Sequence, residues 1–370
     1  MPVEVKRRYQ LVVVGCALIA QGCGEFGEPY RVHDVRPYWT YSRPSFVDVD
    51  GVAVFAAQHP ETGLELWRSD GTPQGTRVAL DLAPGPVGSE PANLVQAGNR
   101  IFFTATHPEK GRSLWAFDST LSGALAVFSV DPAPTPLYSS YLGWAVALGP
   151  HLVFAHRDRT LGDSLWMIDG VSLALRKLSS NWRERGIMVQ SSEPPVVTAG
   201  RVFFMAIEPS TGTELWSTDG TPEGTKLVVD ASPGPDPPTE GRGPEPPYSG
   251  SLRVRGDTVY WRIWGSGIFR LDPGRSARRA WDVAPLYYAP CGGEFALYVL
   301  GRGVFIAGED PQPTFVADLS VPDTYRGNPT CTFSCAGRSV FFCGRVPKGE
   351  LRQYALDVPS RHLQLLSEND

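Results

Sequence analysis

The chain has 370 residues, of which 42% are hydrophobic and 20% are charged, and this balance excludes an intrinsically disordered protein. Its 39 glycines and 34 prolines are spread over the whole length, which predicts many turns between short elements and favours an all-β chain. The formal net charge of -5 lacks the basic excess that binding to a phosphate backbone requires, so nucleic acid is excluded as a partner.

The N-terminus has the three parts of an export signal. Basic residues 6–8 precede an apolar run from Leu11 to Ala20, which is too short to span a bilayer. The small residue before Cys23 resembles a bacterial lipoprotein signal, which is cut before a cysteine that becomes lipid-modified. We therefore expect residues 1–22 to be a signal peptide, Cys23 to carry the lipid and residues 23–43 to link it to the folded body. Ordinary secretion and an uncleaved anchor are the alternatives.

A tryptophan recurs with a period of about 50 residues over the first half of the remaining chain. The four positions are Trp67, Trp115, Trp166 and Trp216, separated by 48, 51 and 50 residues. Each unit between them is predicted to form four short antiparallel strands. Because one such sheet cannot bury both of its faces, neighbouring sheets must stack, with the tryptophans filling equivalent spaces between them. Residues 44–370 are therefore predicted to form a single β-propeller domain.

A glycine turn followed by a hydrophobic strand is a second repeated landmark and extends over the whole body. It begins at Gly51, Gly98, Gly149, Gly200, Gly256, Gly303 and Gly337. After the fourth unit the tryptophan position is expected to hold Phe269, Phe315 and Tyr354. Seven blades are therefore predicted. Six or eight remain open, since the sixth unit is short and residues 30–41 could supply an edge strand that closes the ring.

The first and fourth units share a longer motif. The strings Glu65–Thr72 and Glu214–Thr221 both read ELWxxDGT, and a Gly-Thr pair follows each of them. They resemble the bacterial ELWxxDGT repeat proteins. That resemblance implies an exported or surface-attached multi-repeat protein of propeller type, and it implies no established reaction and no catalytic residues.

The Asp-Gly-Thr element is interpreted as turn chemistry. Asp70 and Asp219 can accept backbone N–H groups across the turn, while Gly71 and Gly220 allow positive φ. Calcium binding is the alternative. Each loop offers one carboxylate, whereas calcium generally takes several oxygen ligands, so the structural interpretation is favoured.

Polar residues recur where the second strand of a unit meets the third. His59, His107, Asp158 and Glu208 occupy similar places there, on the rim that should also carry the connectors between blades. A polar ligand site on this rim is one hypothesis, and a set of ordinary turns is the favoured one. The proline-rich connector 231–250 should overhang the same rim as a stiff, extended segment. Tryptophans outside the repeated position could stack on sugars or pack between blades: Trp144, Trp182, Trp261 and Trp264.

Four cysteines lie in the last quarter of the chain, where an oxidising compartment would pair them. Folding a hairpin about residues 337–338 brings Cys331 opposite Cys343, which leaves Cys291 to pair with Cys335. Zinc is the alternative, but the chain has no C-x2-C pair, and no metal site is predicted.

No catalytic motif stands out in the sequence. We therefore expect a binding or scaffold module at the cell envelope, with a protein or a glycan as partner, no cofactor, and membrane contact through the lipid anchor only. A hydrolase of glycan or another polymer, with carboxylates in the central mouth, is an alternative. A structural surface protein without a small-molecule site is another.

Overall fold

The computed structural model describes residues 36–367 apart from a set of short gaps. These are 38, 41–42, 45, 119–122, 132–139, 159–160, 180, 191–193, 236–251, 264–266, 284, 286, 292, 300–301, 320–333 and 346–350. The predicted signal peptide, Cys23 and most of the long connector lie outside the described residues. The chain forms two compact units, Met1–Ser180 and Asn181–Asp370.

The first unit contains three large sheets and one two-stranded sheet, formed by β2 and β3. The first described strands are β1 (Arg36–Pro37), β2 (Trp39–Thr40) and β3 (Arg43–Pro44). Sheet 1 consists of β4 (Phe46–Val49), β5 (Val52–His59), β6 (Gly63–Ser69) and β7 (Arg77–Leu80), with β1 also paired to β5. Sheet 2 consists of β8 (Ala92–Ala97), β9 (Arg100–His107), β10 (Gly111–Asp118) and β11 (Ala124–Asp131). Sheet 3 consists of β12 (Ser140–Leu148), β13 (His151–Asp158), β14 (Gly162–Ile168) and β15 (Leu175–Lys177).

The second unit contains a short helix and four sheets. The helix α1 (Trp182–Arg185) precedes sheet 4, which consists of β16 (Met188–Val189), β17 (Val196–Thr198), β18 (Arg201–Glu208), β19 (Gly212–Thr218) and β20 (Lys226–Val229). Sheet 5 consists of β21 (Leu252–Arg255), β22 (Thr258–Ile263), β23 (Gly267–Leu271) and β24 (Arg278–Arg279). Sheet 6 consists of β25 (Tyr287–Cys291), β26 (Glu294–Val299), β27 (Gly303–Ala307) and β28 (Thr314–Ala317). Sheet 7 consists of β29 (Ser334–Ala336), β30 (Ser339–Arg345), β31 (Leu351–Asp357) and β32 (His362–Ser367).

The predicted fold class, all-β with four-stranded antiparallel blades, is confirmed. Each of the seven sheets is a meander whose strands pair in the order of the chain, with extra first-strand pieces in sheets 1 and 4. The number of blades in a closed ring stays a prediction.

Neighbouring sheets within each unit bury one another, as the stacking argument requires. Along β9, Ile101 and Phe103 pack toward sheet 1, whereas Phe102 packs toward Phe154 of sheet 3. Successive strand residues point to opposite faces, so one strand supplies both interfaces and reads as a nearly continuous apolar run. Sheets 4 to 7 follow the same rule: Trp261 faces sheet 4, and the adjacent Tyr260 faces sheet 6.

The tryptophan position is equivalent in every repeat that carries it. Trp67, Trp115, Trp166 and Trp216 each lie opposite a phenylalanine of the second strand in their own sheet. Three of the four are buried, and Trp166 is half-buried. The shared register explains the regular period in the sequence.

The prediction for the sixth sequence repeat, which forms sheet 6, is wrong in one detail. Gly303 begins the third strand, β27, and not the second, so Phe305 occupies the tryptophan position opposite Leu297. Phe315 lies in the fourth strand and packs edge-on against Phe305 with ring centroids 5.4 Å apart. The second strand starts instead after the turn at Gly293, whose φ is 83°.

The fourth strand carries a bulge beside the tryptophan position in five of the seven sheets. The pairing register shifts between the residue at that position and the residue before it, as at Leu66/Trp67, Leu114/Trp115, Leu215/Trp216, Val304/Phe305 and Gln353/Tyr354. A bulge adds one unpaired residue, bends the strand and increases its twist. The fourth strand is the last strand in each sheet, so these bulges shape its edge.

Candidate functional site

The four polar residues predicted to share a rim stand at one structural position. His59, His107, Asp158 and Glu208 each end the second strand of their sheet. Each lies opposite the glycine that begins the third strand, and the φ of these glycines lies between 64° and 80°. This glycine recurs four residues before each tryptophan, a signal that is present in the sequence but was not used.

The two histidines take the same conformation. The Nδ1 atom of His59 accepts the backbone N–H of Glu61 at 3.3 Å, and that of His107 accepts the N–H of Glu109 at 3.1 Å. Both imidazoles lie 5.7 Å from the tryptophan ring of their own sheet. An accepting Nδ1 places the proton of the neutral ring on Nε2, which can donate to a ligand. Both histidines therefore brace their own turns and keep Nε2 as a possible donor, and the choice between turn and ligand site stays a prediction.

Asp158 and Glu208 both accept hydrogen bonds from nearby parts of the chain. The Oδ1 atom of Asp158 accepts the backbone N–H of Leu161 at 2.8 Å. Glu208 is buried and receives two hydrogen bonds from Arg185 of helix α1, Nε to Oε1 at 2.8 Å and Nη2 to Oε2 at 2.7 Å. The Arg185 guanidinium also lies 5.5 Å from the centroid of Trp216. Glu208 therefore positions Arg185 over the ring, a contact that sequence reasoning missed.

The glutamate of the ELW motif holds the connector between sheets 1 and 2. Glu65 is fully buried, and its carboxylate accepts the Ser89 hydroxyl at 2.5 Å and the Ala83 backbone N–H at 3.1 Å. Burial raises the pKa of Glu65, and the hydrogen bonds from Ser89 and Ala83 oppose that shift. Glu214 repeats the arrangement in sheet 4, where it is fully buried and accepts the Ser232 backbone N–H at 2.9 Å.

The same connector joins the hairpin ends of sheets 1 and 2. Ser89 donates its backbone N–H to Leu64 at 3.0 Å and accepts that of Thr106 at 2.7 Å, one residue before His107. A Cβ on Gly63 would lie 2.3 Å from the backbone nitrogen of Gly88, so only glycine permits this approach. In the first unit the connector and the histidine-bearing hairpins are therefore joined by backbone hydrogen bonds into one braced surface.

The Asp-Gly-Thr turns close at the opposite end of the sheets. Asp70 accepts the backbone N–H of Thr72 at 2.9 Å and its hydroxyl at 2.7 Å, and the hydroxyl in turn accepts the N–H of Gly75 at 3.0 Å. The hydrogen bonds from Thr72 lower the pKa of Asp70. In sheet 4 the corresponding distances from Asp219 are 3.0, 2.6 and 3.0 Å. Gly71 and Gly220 have φ of 89° and 87°, as the turn prediction requires.

An aspartate also follows the tryptophan position by three residues in the fifth and seventh repeats, whereas the sixth has Gly308 there. Asp272 lies after β23, where it accepts Thr258 at 3.0 Å and Arg278 at 3.2 Å and pairs with Arg270. Burial opposes the ionisation of Asp272, but these hydrogen bonds outweigh it and lower its pKa to about 2. Asp357 of sheet 7 likewise pairs with Arg338 at 2.6 Å. The spacing that links these residues to Asp70 was visible in the sequence and was missed.

The Cys291–Cys335 disulfide is present, with a Cα–Cα distance of 5.6 Å. It joins β25 of sheet 6 to β29 of sheet 7. A zinc site using these two sulfurs is therefore wrong. Cys331 and the Cys343 side chain lie outside the described part of the chain, so their pairing stays a prediction. Among the residues whose placement is described, no group of three His, Cys, Asp or Glu side chains could hold a metal ion.

The other tryptophans lie in packing positions. Trp144, Trp182 and Trp261 are 6%, 4% and 0% exposed, so their rings are not open to a sugar. Trp264 lies outside the described residues. No helix within the described ranges is both long enough and apolar enough to cross a bilayer.

Comparison with known proteins gives structural neighbours only. No family model and no curated protein matches the chain. Among solved structures, the chain is similar to the β-propeller domain of the Trilobed protease from Pyrococcus furiosus, at 10% identity and a TM-score of 0.37, covering 88% of this chain and 99% of that one. It is similar to a prolyl endopeptidase at 11% identity and a TM-score of 0.45, covering 87% and 49%. TolB from Acinetobacter baumannii matches at 10% identity and 0.34, covering 72% and 63%. The chain spans about half the length of three of the solved structures it matches, the prolyl endopeptidase, a puromycin hydrolase and a puromycin-hydrolyzing peptidase, at 49%, 55% and 52%.

Proposed function

We propose that the chain is exported, anchored by lipid at Cys23, and acts in the cell envelope as a binding or scaffold module for a protein or a glycan. The observation that carries this proposal is the braced surface of the first unit, formed by the hairpins of His59 and His107 and by the connector held on Glu65. A surface held by buried hydrogen bonds loses little conformational freedom when a partner binds, which favours affinity.

The chemistry of this surface suits a polar partner. His59 and His107 are half-buried, each backed by a buried tryptophan ring at 5.7 Å, with the Nδ1 atom fixed by the backbone. Each imidazole therefore presents its Nε2–H donor in a defined orientation. A sugar hydroxyl or a peptide carbonyl could accept a hydrogen bond from it. Repetition on adjacent sheets offers two such donors to an extended partner.

The test compares a rim variant with a matched variant at the opposite end of the sheets. The full chain, the double variant His59→Ala/His107→Ala, and the control Gln74→Ala/Asn99→Ala are applied to a glycan array and to a pull-down from envelope extract. Gln74 and Asn99 are exposed turn residues, so their loss should leave binding unchanged. We expect the rim variant to weaken retention by roughly tenfold, as for two hydrogen bonds of about 0.7 kcal/mol each.

Equal retention of both variants would contradict a partner site on this rim. Cleavage products in the array eluates would instead favour the hydrolase alternative. A chain that remains unlipidated when Cys23 is intact, as measured by mass spectrometry of the envelope fraction, would contradict the proposed anchor.

A further inference from the structure

The loop and edge strand of sheet 3 differ from their counterparts in sheets 1 and 4. At the loop tips, sheets 1 and 4 present the exposed polar residues Gln74 and Glu223. Sheet 3 instead presents Val171, which is 75% exposed, followed by Leu175, which is 42% exposed. Two aliphatic side chains within five residues of the chain are therefore exposed to solvent, one at the loop tip and one in the edge strand.

Basic side chains follow this apolar pair in the edge strand. Arg176 and Lys177 are exposed and directly follow Leu175 in β15. Lys177 shares a face of the strand with Leu175, and its Nζ lies 5.8 Å from the centroid of the Trp166 ring. Arg100 of sheet 2 lies beside the loop, with its Nε 2.9 Å from the carbonyl oxygen of Gly170. These basic residues lie close together in a chain whose net charge is negative, at -5.

The acidic residue of the loop is directed into its own turn. Asp169 accepts the backbone N–H groups of Val171 and Ser172 at 3.0 and 2.7 Å and the Ser172 hydroxyl at 2.9 Å. It also lies 3.2 Å from the Nδ1 of His151. Residues 169–177 carry Arg176 and Lys177 against this one carboxylate, a net charge of +1.

We propose that the segment Val171–Lys177 docks on an anionic lipid surface. Val171 and Leu175 enter the boundary between headgroups and acyl chains, and Arg176 and Lys177 contact the anionic headgroups. Aliphatic insertion beside basic residues is how peripheral segments hold a negatively charged membrane. This contact adds to the predicted lipid anchor and fixes which side of the first unit faces the bilayer.

The test places an environment-sensitive dye on one of two matched valines in the full chain. Val171→Cys and Val87→Cys are compared because Val87 is 80% exposed and lies in the connector between sheets 1 and 2. Both are reconstituted in phosphatidylglycerol vesicles with brominated acyl chains, and the chain without an added cysteine gives the background. We expect the dye at position 171 to shift to the blue and to be quenched, while the dye at position 87 stays aqueous. Equal behaviour of the two dyes would overturn the proposal.

The charge contribution is tested on the Val171→Cys background. Arg176→Ala/Lys177→Ala should lower the docking constant by roughly 30-fold, as expected for two cations near an anionic surface. The control Arg77→Ala/Lys226→Ala removes two exposed basic residues from the fourth strands of sheets 1 and 4 and should change nothing. The signal should also fall with added salt. A signal that is unchanged in phosphatidylcholine vesicles would overturn the assignment to anionic headgroups.

Discussion

Single aspartates at the ends of the third strands connect neighbouring strands of one sheet. Asp272 does so with three hydrogen-bonding partners, and its side chain is 13% exposed, so solvent screens these contacts only in part. Its pKa of about 2 lies below the value of about 3.9 that an unfolded chain gives an aspartate. Because the folded state holds the carboxylate ionised, its contribution to stability is present above pH 4 and is lost as the pH falls toward 2.

We predict that Asp272→Asn removes this part of the acid sensitivity. The parent should lose up to about 2 kcal/mol of unfolding free energy between pH 5 and pH 2 through this group alone, and the variant should not. Urea denaturation of both proteins across that range measures the difference. Asp230→Asn, at an exposed position, is the control and should follow the parent curve. Parallel curves for parent and Asp272→Asn would contradict the prediction.

The Asp-Gly-Thr turn of sheet 1 requires a glycine at position 75 because a side chain there would not fit. A positive φ is not the reason at this position. A Cβ on Gly75 would lie 1.9 Å from the Oδ1 of Asp70, whereas a Cβ on Gly123 would meet nothing within 4 Å. The carboxylate that closes the turn would have to leave its place to admit the methyl group. The glycine of the Gly-Thr pair that follows the motif is thus explained by its close approach to the aspartate of the same turn.

We expect Gly75→Ala to destabilise the chain, since the added methyl group displaces the Asp70 carboxylate from its hydrogen bonds to Thr72. Gly123→Ala makes the same chemical change in open space and should leave the unfolding free energy within about 0.5 kcal/mol of the parent. Chemical denaturation of the two variants provides the comparison. Similar losses in both would show that the steric contact is unimportant.

Features that depend on a locally repeated pattern could be predicted from the sequence. Contacts between residues that are far apart in the sequence could not. The register of Trp67 and the turn at Asp70 follow from patterns within a few residues. The strands of the sixth repeat were predicted wrongly because Gly293 and Gly303 both precede hydrophobic strands, and the neighbouring residues do not distinguish the two glycines. Arg185 meets Glu208 across 23 residues from a helix of four residues, which is too short to give a periodic signal.

At the scale of the whole molecule, the Cys291–Cys335 bond ties two sheets of the second unit across 44 residues of sequence. A cross-link over a loop of this length reduces the freedom of the unfolded chain and contributes about 4 kcal/mol in the chain-entropy description. Replacing both cysteines by serine should therefore lower the unfolding free energy by about 2–4 kcal/mol.

Denaturation of the Cys291→Ser/Cys335→Ser variant without reductant measures this loss against the parent. Peptide mapping under the same conditions verifies that the parent contains the bond. An unchanged unfolding free energy would mean that the cross-link does not restrict the unfolded chain. A single replacement is a poorer test because it leaves a reactive thiol beside the remaining cysteines.

The bulges in the fourth strands affect whether two copies of this chain can pair through their sheet edges. A regular final strand offers an evenly spaced row of amide and carbonyl groups on which a second molecule can pair, which is a common start of fibre growth. Five of the seven final strands interrupt that row beside the tryptophan position. Backbone pairing between two molecules along these edges is therefore disfavoured.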